Sequence, residues 1–124
     1  EDTRVSRLVR HAFRQILEVC GGSFKGKRVL DVACNCGGFC VKANEMGADY
    51  VLGFDVVGRY IEQARLIRRA LGLRNVDFQK LNIEDVDDSI GDFDVTFCFG
   101  ILYHLENPVL GQHPHFLRLI QGQM

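Results

Sequence analysis

The sequence predicts an α/β fold: a parallel sheet with flanking helices that stops after its fourth strand. Short apolar runs of strand length alternate with stretches of helical periodicity. The first of these strands leads through a loop of small residues straight into a helix, and the second closes on an aspartate. Alternation of this kind implies strands that run parallel, because each crossover helix returns the chain to the same end of the sheet.

Each element follows from the residues in order. From Thr3 to Cys20, Val5, Leu8, Val9, Phe13, Ile16, Leu17 and Cys20 recur at helical spacing, and Gly21-Gly22 stops the helix. Arg28 to Ala33 is a β-rich run, Cys34 to Gly38 a small-residue loop, and a helix follows to near Gly47. Tyr50 to Phe54 forms the second strand, closed by Asp55. Val57, Tyr60, Ile61, Ala64, Ile67 and Leu71 then mark a helix capped by Gly72. Asn75 to Gln79 is the third strand, residues 82–91 an acidic connection, and Phe93 to Phe99 a strongly apolar fourth strand. Residues 1–110 are thus expected to form one core with an amino-terminal helix, and residues 111–124 a tail to which no role is assigned.

Composition narrows the function. The 124 residues, 47% hydrophobic and 25% charged, suit one domain. No apolar run is long enough to span a membrane and the amino end lacks signal-peptide character, so the expected compartment is the cytosol and no membrane partner is expected. Cys20, Cys34, Cys36, Cys40 and Cys98 make an odd set, which favours free thiols. Cys34, Cys36 and Cys40 with His113 and His115 lack the paired spacing of a structural zinc site, and no metal is expected. Charge is uneven: seven Lys and Arg fall in the first 28 residues against three acids. A solvated face explains this, and contact with an anionic substrate such as RNA is the alternative. The same solvated reading is given to Arg59, Arg65, Arg68, Arg69 and Arg74 around the second long helix.

The loop after the first strand is where a ligand is expected. Small residues let backbone approach the ligand, and free N–H groups at the next helix start can meet its polar atoms. Gly37 and Gly38 can take positive φ without strain, and Asn35 tolerates it. Asp55 stands about 20 residues beyond the loop, where an acid closing the second strand can accept from ribose hydroxyls. Asp31, beneath the loop, could accept backbone N–H bonds or reach a ligand ammonium group.

The segment Val29-Leu-Asp-Val-Ala-Cys-Asn-Cys-Gly-Gly-Phe39, followed by Gly53-Phe-Asp55, resembles the first two motifs of class I S-adenosylmethionine-dependent methyltransferases, whose core is Rossmann-like. The usual loop has glycine where this chain has Ala33 and Asn35; Gly37 matches. Phe93 to Leu105, then Asn107-Pro108, resembles the fourth-strand motif of the subgroup containing the bacterial tRNA wobble-uridine carboxymethyltransferase. The resemblance spans roughly residues 27–110. It implies S-adenosyl-L-methionine as cofactor. Ala33 would line its amino-acid end, Asp55 would bind ribose, and Val56 and Val57 would lie close to the adenosine. Ile83 and Glu84 would flank adenine, while Phe99 and Tyr103 would close the pocket beside the reactive methyl group. Tyr103 and His104 are the catalytic candidates, since methyl transfer from a sulfonium asks mainly for orientation and, for some acceptors, a base.

The expected function is transfer of a methyl group to an unidentified acceptor, RNA or a small molecule. Two alternatives are a catalytically inactive methyltransferase-like binding module and an NAD-dependent oxidoreductase, the latter opposed by the absence of Gly-x-Gly-x-x-Gly. With no fifth strand legible, the fourth is expected to present an edge through which the chain self-associates, or which the tail covers.

Overall fold

A computed structural model describes residues 3–102. Four strands, β1 (Arg28–Val32), β2 (Tyr50–Asp55), β3 (Val76–Lys80) and β4 (Val95–Phe97), form one sheet in the order β3-β2-β1-β4. All three pairings are parallel, with Val29 beside Val51 and Val95, and Val51 beside Val76. The helices are α1 (Arg4–Val19), α2 (Gly38–Glu45), α3 (Gly58–Leu71) and the short α4 (Phe99–Leu102). No helix among the described residues is long and apolar enough to cross a membrane.

Alternation along each strand divides the core. Val29, Val51, Val76, Val95 and Phe97 face α1, α2 and α3, which bury Val9, Phe13, Cys40, Ala43, Ile61 and Ala64 against them. Leu30, Val32, Leu52 and Phe54 face the other way and are met by Ile83, Val86 and Phe93. Strands apolar on both faces are what a parallel sheet requires. The acidic connection forms two 3-10 turns, Ile83–Asp85 and Asp88–Ile90, each begun by an acid or amide side chain, Asn82 or Asp87, that accepts a backbone N–H two residues on. Its apolar residues fill the second cluster, so this stretch is part of the core.

The fourth strand is shorter than the apolar run Phe93 to Phe99. Only Val95–Phe97 pair with β1; Phe93 packs in the second cluster, and Phe99 begins α4. Phe99 joins an aromatic group in the first cluster, with ring centroids 5.0 Å from Phe97, 4.9 Å from Phe39 and 6.5 Å from Phe13. Aromatic content raised the apolarity at both ends of the run, although each end serves a different packing layer.

β3 is an edge strand, and α3 guards it. The Asn75 carbonyl accepts from Val51 and the Leu81 N–H donates to Asp55, so the carbonyls of Val76 and Phe78 point away from β2. The Arg65 guanidinium donates to the Phe78 carbonyl at 2.9 and 3.3 Å, and Arg68 donates to the Val76 carbonyl while sitting 3.5 Å from Asp77. Two of the arginines expected to be merely solvated therefore occupy acceptors that a foreign strand would use. Among the described residues no strand pairs with the outer side of β4.

The double variant Arg65→Ala/Arg68→Ala is expected to leave far-UV circular dichroism close to that of the parent and to increase association, read by light scattering against concentration. Unchanged scattering would remove the guarding role.

Candidate functional site

Parallel strands put all loops that follow them at one end of the sheet, and a ligand site forms there where the strand order reverses. Here β1 is that place, with β2 on one side and β4 on the other. The connection from β1 to α2 turns through left-handed residues at alternate positions: Ala33 at φ 56°, Asn35 at φ 55° and Gly37 at φ 85°. For alanine that region costs about 1–2 kcal/mol, so the surroundings must hold it. Gly38, which could also have taken positive φ, starts α2 in helical geometry.

Asp55 supplies the hold. One carboxylate oxygen accepts the Asn35 N–H at 2.9 Å and the other accepts the Val57 N–H at 3.0 Å. The Asn35 side chain in turn accepts the Cys36 N–H at 2.9 Å. One acid thus ties the loop after β1 to the start of α3, and Asp55 is only 8% exposed. A carboxylate has about four lone-pair directions, so two remain for hydroxyls of a ligand at the rim.

Small side chains allow the loop to lie this low. A Cβ on Gly37 would come 2.6 Å from the Phe78 ring, and one on Gly53 would come 2.7 Å from Cys40 Sγ and 3.0 Å from Cys34 Sγ. Gly100 is tighter still: its Cβ would fall 1.9 Å from the Ala33 carbonyl oxygen. Hence α4 rests directly on the loop at the switch point.

Under the loop, Asp31 is 2% exposed and accepts from Cys40 Sγ at 3.4 Å. Burial pushes its carboxyl up to about 7, against the lowering effect of the Cys40 hydrogen bond and with a smaller upward push from the Asp55 charge. Cys98, at the end of β4, is raised to about 12 by burial and then by Asp31, and the Cys40 thiol is raised well above its ordinary value chiefly by burial. These thiols stay protonated at neutral pH and have no nucleophilic character.

The structure brings Asp31, Ala33, Asn35, Gly37, Asp55, Val56 and Val57 to one end of the sheet. Val56 is 54% exposed beside Asp55, an apolar surface next to a polar anchor. Ile83 is buried in the second cluster, and Glu84 is exposed with its N–H held by Asn82. Phe99 lies within the aromatic core. Tyr103 and His104 lie outside the described residues. Sequence reasoning missed the left-handed Ala33, for which alanine carries no signal, and Gly100, whose need for smallness is created by the loop it meets. Among the described residues no group of three or more His, Cys, Asp or Glu could hold a metal ion.

A site of a turned loop, an acid closing the second strand and a half-exposed apolar residue after it suits a nucleoside. α2 begins with no side-chain cap and no acid in its first turn, so its end is compatible with the polar atoms of such a ligand.

Comparison with known proteins agrees. The family described as "Methyltransferase domain" matches residues 23–112. The tRNA U34 carboxymethyltransferase of Campylobacter hominis is 35% identical over 85 residues, 68% of this chain and 30% of that protein. An S-adenosylmethionine-dependent methyltransferase of Mesorhizobium loti shares the fold at a TM-score of 0.53 and 30% identity, over 68% of this chain and 36% of that one. The Trypanosoma brucei PRMT1 enzyme-prozyme complex, solved with AdoHcy, superposes at a TM-score of 0.61 and 28% identity, over 74% of this chain and 28% of that one. The chain spans less than a third of the length of these curated relatives.

The folded value for Asp31 lies above its ordinary 3.8, so between about pH 4 and 7 the native state keeps a proton that the unfolded chain has released. That contribution is complete below about pH 4 and is lost as pH rises through 7. Asp31→Asn should therefore flatten the fall in denaturant midpoint between about pH 5 and pH 8. An identical pH profile in parent and variant would show that Asp31 does not titrate in this range.

Proposed function

From the premise that the chain belongs to the methyltransferase domain family, we propose that it binds S-adenosyl-L-methionine on the Ala33–Gly37 loop and forms the cofactor-binding core of a methyltransferase whose acceptor is RNA. The observation that carries this reading is the Asp55 carboxylate, which accepts from the loop and from the start of α3 and keeps two lone-pair directions that we assign to ribose hydroxyls. Bound there, S-adenosyl-L-methionine would supply a methyl group on a positively charged sulfur, already activated for in-line displacement.

The chain's own residues account for the rest. Asp55 orients the sugar through its two remaining lone-pair directions, and Val56 offers an apolar surface to the adenosine. Ile83 backs the adenine side, where Glu84 or Asp85 could accept from its amino group. Asp31, buried and poised near neutrality, is placed beneath the end that Ala33 lines and would favour a cationic amino group once ionised. Tyr103 and His104 remain the candidates for shaping the reactive end and for taking a proton from an acceptor that must lose one. RNA is favoured over a small molecule because the curated relatives are named as tRNA enzymes. Their name specifies a carboxymethyl group, so the label belongs in the transferred carbon, whatever its substituent.

A second reading, a module that binds without transferring, is favoured by one observation: Gly100 presses on Ala33 at the switch point, where the reactive end of the cofactor would lie.

Calorimetric titration with S-adenosylhomocysteine, S-adenosylmethionine and NAD is expected to show saturable binding of the first two and none of NAD. Asp55→Ala should weaken adenosyl binding by about 5- to 150-fold, since it removes about 1–3 kcal/mol of hydrogen bonds to the loop and the ligand. Binding of NAD alone would refute the assignment. Binding without transfer of labelled carbon to bulk tRNA would select the inactive module.

A further inference from the structure

Helix α1 precedes the family match, which begins at residue 23, and the site described above uses none of its outer surface. Its inner side is committed to the core through Val9 and Phe13. On the opposite side Arg4, Arg7, His11 and Arg14 follow one another at steps of three or four residues, which places them along one stripe, and Arg10 flanks it. The stripe runs about 15 Å along the helix axis at 1.5 Å per residue. Arg4, Arg7, His11 and Arg14 are exposed and Arg10 half-buried. The one acid of α1, Glu18, falls in the last turn, at the far end from Arg4.

Position adds meaning to charge. The turn after α1 leads directly into β1, so the helix approaches from the amino end of the strands. The Phe13 ring spans the layer, 5.8 Å from Phe24 before β1, 5.4 Å from Phe97 in β4 and 6.5 Å from Phe99 in α4. Phe13 also contacts Phe39 of α2 at 5.4 Å. Residues before Phe13 run away from the turn into β1, on a helix that also touches α4 after β4, so Arg4, Arg7 and Arg10 lie in the half of α1 farther from the amino end of the strands. The rest of the chain is acidic enough to bring the total to -1, so the attraction for an anion is local to this region.

We propose that the outer face of α1 is a docking rail for the phosphate backbone of the RNA acceptor, holding it so that its reactive base can reach the loop end of the sheet. This inference rests on the RNA reading of the proposed function and adds the surface that engages it. A lipid surface is the poorer fit: a helix that lies in a membrane interface exposes a broad apolar face, whereas α1 buries Val9 and Phe13 in the core. Contacts of this type set position and register, and leave sequence to be read elsewhere.

The test measures binding of fluorescently labelled bulk tRNA by anisotropy at about 50 and about 200 mM salt, with Arg4→Glu/Arg14→Glu and the milder Arg4→Gln/Arg14→Gln beside the parent. The parent should lose more than tenfold in affinity between the two salts, as neutralisation of three or more phosphates requires. Charge reversal should lower tRNA affinity at least tenfold at low salt, the glutamine pair should fall between, and both should retain the parent's circular dichroism and S-adenosylhomocysteine titration. Equal tRNA affinity in parent and glutamine pair would overturn the proposal, as would anionic phosphatidylserine vesicles that retain the parent as well as tRNA does. A parent that binds tRNA through these arginines yet ignores S-adenosylhomocysteine would defeat the cofactor reading and leave the rail standing.

Discussion

The site depends on one carboxylate with two backbone partners. Asp55 ends β2, yet it accepts from Asn35 after β1 and from Val57 at the entrance to α3, so three parts of the chain share one anchor. Hydrogen bonds to an ionised oxygen are about twice as strong as neutral ones, and here they offset the left-handed backbone at Ala33 and Asn35. Backbone bonds on either side of Asn35, from Cys34 to Phe54 and from Gly37 to Cys34, hold the same turn.

Around this anchor, closeness is achieved by smallness. Gly53 leaves room for the sulfur atoms of Cys34 and Cys40, Gly37 leaves room for the Phe78 ring, and Gly100 leaves room for the Ala33 carbonyl. Cys34 and Cys40, two of the cysteines weighed above as metal ligands, are buried packing residues of modest volume, with Cys40 also donating to Asp31. Their burial raises the Cys40 and Cys98 thiols and so removes the reactivity that a thiolate would have.

Much of the architecture was legible because parallel strands covered on both sides read as short, nearly continuous apolar runs. Asp55 stood out for the same reason: an acid is conspicuous where such a run ends. What escaped detection is tertiary. Phe93 and Phe99 look like strand residues and belong to different layers. Arg65 and Arg68 look like a wet helix face, and only the position of β3 beside α3 turns them toward carbonyls. Gly38 was as good a candidate for positive φ as Gly37 by composition, but α2 had already begun there. Of the site, the two acids and the loop could be read from residue type and spacing, whereas the contact of Gly100 with Ala33 depends on where α4 comes to rest.

The guanidinium groups along β3 have a consequence for how such a sheet can be enlarged. With that margin closed to newcomers, further strands have one berth, alongside β4. Growth of the sheet is therefore directional, and it proceeds from the side of the switch point, so that whatever is added enters next to the ligand rather than across the molecule from it.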